Sequence, residues 1–215
     1  VLRGAAAYEL TRANNSVSNL AADTGGSTVH YVNAGTLNLA NVATAALPSG
    51  SALPAGTAID RTGDVWVRTL TGDLTLSANA NAATLGLDAQ GGVRQTGGVV
   101  TAGTLGARAQ TGSVLLGNTN AVGTFTANAA GDVLFKEGDG YAVGGLGNSP
   151  LNVVGSAADG TRVFRGTTGV VAGATETIEL NTLAGPVTQT ADLSAQNLVL
   201  RGAAAYELTR ANNSV

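Results

Sequence analysis

Four stretches of this chain, DVWVRT, TLGLDA, TLGARA and TFTANA, begin at Asp64, Thr84, Thr104 and Thr124, each 20 residues after the one before. Val65, Leu85, Leu105 and Phe125 occupy one apolar column, and Val67, Leu87, Ala107 and Ala127 occupy a second. Trp66, Gly86, Gly106 and Thr126 stand between them. A strand sends successive side chains to opposite faces, so the alternation places the two apolar columns inside and Thr84, Thr104 and Thr124 outside. A second strand per period appears in GDLTL, GGVRQ, GSVLL and GDVLF, whose first apolar residues are Leu74, Val93, Val114 and Val133. Gly, Asn, Asp and Ser separate the strands and suit tight corners. This spacing leaves no room for the dozen or more residues of a helical crossover. The expected fold is all-β: a parallel β-solenoid of about 20 residues per coil, each coil burying its apolar residues against the next. Ala89, Ala109 and Ala129 share an inward column, which predicts a narrow core.

A longer repeat overlies the short one. VLRGAAAYELTRANNSV occupies residues 1–17 and recurs without substitution at 199–215. Residues 1–215 therefore read as a single solenoid segment, with 1–198 one tandem unit and 199–215 the start of the next copy. Such a unit should hold about eight to ten coils and rise ~40–48 Å. Three stretches break the rhythm: Ala40 to Thr62, Lys136 to Pro150 and Gly155 to Arg162. They are expected to be projecting loops or irregular coils.

The chain holds 31 glycines among 215 residues, with 4% aromatic and 12% charged side chains, which argues against long amphipathic helices. A net charge of −3 offers no basic footprint for nucleic acid. No apolar run is long enough to span a membrane as a helix. Cysteine is absent, so neither disulfides nor thiolate metal sites arise.

Residue chemistry predicts no enzyme, cofactor or metal site. His30 is the single histidine and reads as a strand residue. Asp132, Glu137 and Asp139 lack the alternating spacing of a calcium loop and read as a solvated turn. The threonine column resembles an ice-binding array, but Asp64, Arg68, Asp88 and Arg108 interrupt a hydroxyl lattice on that face. Arg68, Asp88 and Arg108 share an outward column, so Asp88 should lie between two guanidiniums in an exposed ladder.

The coil grammar in GPVTQTADLSAQNLVLRG, ANNSVSNLAADTGG and NAGTLNLANV resembles the repeat regions of filamentous-haemagglutinin-type exoproteins of the two-partner secretion route. The resemblance implies a right-handed parallel β-helix forming the shaft of a secreted or surface-exposed bacterial protein. It also implies export by an outer-membrane transporter and contact with a host or surface receptor. The expected function is a structural shaft whose partners are further copies of the repeat stacked end to end. The alternative is an adhesive module that contacts a glycan or host protein through the loops at Ala40 to Thr62 or Lys136 to Pro150.

Overall fold

The computed structural model describes residues 1–42, 57–155 and 160–215. These form a parallel β-solenoid of about nine turns with no helix among the described residues. One ladder runs through Asn19–Leu20, Leu37–Leu39, Leu74–Leu76, Val93–Gln95, Val114–Ala129, Val133–Glu137, Thr177–Thr182 and Asn197–Gly202. Its short strands alternate as the sequence requires: Leu74 and Leu76 are buried, with Thr75 between them half-exposed. The longer ladder passes through Val29–Asn33, Thr57–Thr69, Asn79–Ala89, Val100–Ala109 and Val114–Ala129.

Register holds from coil to coil. Val65 pairs with Leu85, Leu85 with Leu105 and Leu105 with Phe125, and all four are fully buried. Ala89, Ala109 and Ala129 align in the same way. Aromatic rings belong to the same core. The Phe125 and Phe135 rings stack at 3.9 Å between centroids, and Tyr141 meets Phe135 edge-on at 5.1 Å. One apolar core thus extends from Leu20 to Leu193, with Leu2 and Leu208 packed against its ends.

Corners impose their own residue choice. Gly98 has φ +68°, and a Cβ there would stand 2.2 Å from the Ala78 carbonyl carbon, so no other residue fits. Eight inter-coil steps lead from Tyr8 to Tyr206. At a strand spacing near 4.8 Å this is a rise of ~38 Å, slightly below the expected range. The shortfall arises because two steps spend extra chain: Val29 to Val65 takes 36 residues for one step, and the residues between Gly144 and Gly169 leave the stack without adding a coil.

Among the described residues the irregular stretches contain paired strand, in keeping with the expectation of irregular coils more than with that of projecting loops. Lys136 to Pro150 includes the end of strand Val133–Glu137, all of Tyr141–Val143 and the strand Gly145–Leu146. The last pairs antiparallel with Thr167–Thr168, forming the neck of a flap. Of Ala40 to Thr62, residues 57–62 belong to strand Thr57–Thr69, while 43–56 lie outside the described residues. Residues 156–159 of the third stretch also lie outside them.

Candidate functional site

The flap turns back toward residue 1 and lies along the outside of the stack. Its two arms pair through Val153 N–H to Thr161 O at 2.7 Å and Val163 N–H to Leu151 O at 2.9 Å. Phe164 settles on the glycine column: a Cβ at Gly86 would stand 3.0 Å from its Cγ, and one at Gly106 would stand 2.8 Å from its Cζ. Leu146 occupies the rest of the Gly106 seat, with Cδ2 at 2.6 Å from that same Cβ position. Farther down, Trp66, Val32 and Ala13 join Val153, Val163 and Phe164 in a second apolar cluster outside the solenoid wall. At its far end Val154 bridges the first coil, donating N–H to Thr11 O at 3.0 Å and accepting from Ala13 N–H at 2.8 Å.

This cover changes the charged column. Arg68, Asp88 and Arg108 are in register as expected, but the exposed ladder is not found. Asp88 is fully buried, Arg68 nearly so and Arg108 half-buried. The direct partner of Asp88 is Arg165 of the flap, whose Nη2 lies 2.7 Å from Oδ1 and whose Nε lies 2.9 Å from Oδ2. Arg68 instead donates to Thr161 Oγ1 at 2.9 Å and to Arg162 O at 2.7 Å. Burial pulls the Arg68 guanidinium below its ordinary pKa, Asp88 opposes this, and Arg165 and Arg108 add repulsion. Arg108 is lowered likewise, by burial first and then by Arg165, with Asp88 opposing. The group is an electrostatic clasp of three guanidiniums around one carboxylate.

The remaining candidates separate in space. Thr84, Thr104 and Thr124 align and are half-exposed, and their column is bounded in register by Asp64 and Ala142. His30 is a buried strand residue stacked on Trp66 at 6.4 Å, its pKa lowered by burial against the opposing fields of Glu9 and Asp64. Glu137 corrects the reading of a solvated turn, because it is fully buried. Its carboxylate accepts N–H bonds from Val122 and Gly138, each at 3.0 Å, yet burial pushes its pKa up to about 7. Asp132 serves elsewhere, accepting from Thr177 N–H at 2.9 Å. Among the described residues no three His, Cys, Asp or Glu side chains are grouped to hold a metal. Grooves between coils, such as that lined by Asp73, Gly92, Arg94 and Ser113, are bounded largely by main chain and corner residues.

The two copies of the repeated coil share local hydrogen bonds. Tyr206 Oη donates to Arg201 O at 2.6 Å, and Tyr8 Oη makes the same bond to Arg3 O. Asn213 and Asn15 donate to Leu208 O and Leu10 O at 3.3 and 2.9 Å. No family model, curated protein or solved structure matches the chain.

Proposed function

We propose that the chain is a structural shaft segment, a rigid spacer whose length comes from stacked coils, in a secreted or surface-exposed bacterial protein. The observation that carries this reading is the single in-register core running from the first repeated coil to the second. Each coil passes the same stacking environment to its neighbour, so length can grow by repetition without a new core. The hydrogen bonds that the two copies of the repeated seventeen residues share support it further. On this reading the chain performs no chemistry, and its principal partner is more of itself. The likeness to filamentous-haemagglutinin-type proteins, and with it transporter-mediated export and receptor contact, rests on repeat style.

The test is a single chain carrying two consecutive 198-residue units followed by the seventeen-residue coil. Negative-stain imaging should show one unbranched rod, longer than the single-unit chain by ~38 Å at the strand spacing of stacked coils. Two beads joined by a flexible neck would overturn the shaft reading.

A further inference from the structure

The Asp88 carboxylate is taken up by one partner. Arg165 reaches it through Nε at 2.9 Å and Nη2 at 2.7 Å and adds its main-chain N–H at 3.2 Å, so both carboxylate oxygens are occupied from the flap. Arg165 Nη1 turns to Gln110 Oε1 at 3.0 Å. Arg68 turns elsewhere, to Thr161 Oγ1 and Arg162 O. Arg108 is left over. It stands in register beside Asp88, yet among the described residues it makes no hydrogen bond or ion pair, and its Nε is buried without a partner.

Three guanidiniums and one carboxylate leave an excess of two positive charges here, in a chain whose net charge is −3. Among the described residues Asp88 supplies the one opposing field at Arg108, while Arg165 repels it. Water can satisfy the exposed part of the Arg108 side chain but carries no charge to offset that repulsion. Asn128 follows Arg108 in register, is half-buried, and holds a side-chain amide with no partner among the described residues. A guanidinium with five donors and no acceptor thus stands beside a second set of donors, and both call for an acceptor.

We propose that Arg108, Asn128 and Arg165 form a seat for a doubly charged oxyanion, a sulfate or phosphate group. Two negative charges match the local excess of two, whereas a single carboxylate offsets half of it. A guanidinium meets such an anion with paired, charge-assisted bonds. Arg165 has spent one N–H of each Nη on Asp88 and Gln110 and has a second on each to give. Arg108 belongs to strand Val100–Ala109 and Arg165 to the flap, so the anion joins flap to wall. Binding to the closed form then stabilises closure by mass action. The seat adds a ligand class to the shaft reading and stands or falls apart from it.

Inorganic phosphate and sulfate are the probes, titrated into the full chain at fixed pH and at an ionic strength held constant with chloride. Isothermal titration calorimetry should show one saturable site. Trp66, whose ring lies 5.4 Å from that of Phe164 of the flap, should change its fluorescence over the same range. Arg108→Gln should weaken binding by about tenfold or more. In chloride alone that variant should fold with a urea midpoint at or above the parent's, because it loses a repelled guanidinium that holds no partner. Arg94→Gln removes the same charge from an exposed position in the other ladder and should bind as the parent does. Asn128→Ala, a milder change, should weaken binding less than Arg108→Gln. Dextran sulfate that displaces phosphate assigns the seat to a sulfate or phosphate carried on a larger molecule, and dextran sulfate that fails to displace it assigns the seat to the free ion. No saturable binding by the parent would overturn the proposal, as would equal affinity in Arg108→Gln or an equal loss in Arg94→Gln. If Arg108→Gln does not fold, Asn128→Ala decides, and unchanged affinity there overturns the seat.

Discussion

Trp66 lies across Gly86 of the next coil so closely that a Cβ at Gly86 would stand 2.3 Å from its Cε3. Phe164 presses on the same position from the flap. A methyl group there must displace one ring or the other, and overpacking of this kind costs about 1–3 kcal/mol. Gly86→Ala should therefore lower the urea midpoint. Trp66 is the single tryptophan, so its fluorescence reports the site directly and should shift to the red as the flap loosens.

The clasp predicts a larger effect. Asp88→Ala leaves Arg68, Arg108 and Arg165 crowded together with no carboxylate among them. Breaking a buried pair from one side costs about 3–5 kcal/mol. The flap should detach before the coils unfold, and limited trypsin digestion should then cut after Arg162 or Arg165 at a rate the parent protein does not show.

Glu137 sets a pH dependence whose sign is opposite to that of a salt-bridged carboxylate. Its folded pKa of about 7 lies above the unfolded value, so between them the native state binds the extra proton. Stability is therefore fully present below about pH 4.5 and is lost as pH rises through about 7, with a contribution of at most ~3 kcal/mol. Urea midpoints measured across that window should fall with pH for the parent and fall less for Glu137→Gln.

In the interior, Phe125→Ala removes one of two stacked rings and leaves Phe135 and Tyr141 facing a void. Truncating a buried Phe costs about 3–5 kcal/mol. Because coils contact only their neighbours, the loss should be local. Hydrogen exchange should accelerate first in strands Val100–Ala109, Val114–Ala129 and Tyr141–Val143, leaving Leu37–Leu39 protected.

The Val65, Leu85, Leu105 and Phe125 column was legible because burial there follows from strand alternation, and every coil repeats the same test of it. The burial of Asp88 was not, because its cover comes from Arg165, 77 residues away in a stretch without periodicity. A column with no visible partner reads as solvent-facing. Gly86 and Gly106 carried the missing signal: glycine inside a strand marks a place where something approaches closely. Glu137 was misread for a related reason. Its neighbours Gly138, Asp139 and Gly140 look like a surface turn, and only the folded coil brings Val122 N–H to its carboxylate.

Gly169 donates its N–H to Gly144 O at 2.7 Å, closing the neck of the flap within the wall of the coil. On one side Tyr141–Val143 pairs with Val187–Gln189, and on the other Val170–Val171 pairs with Leu193–Ser194, so the stack continues across the excursion. The wall thus closes behind the excursion, and the strands on either side carry the coil spacing past it. The outer surface and the number of coils are thus set by different stretches of the chain.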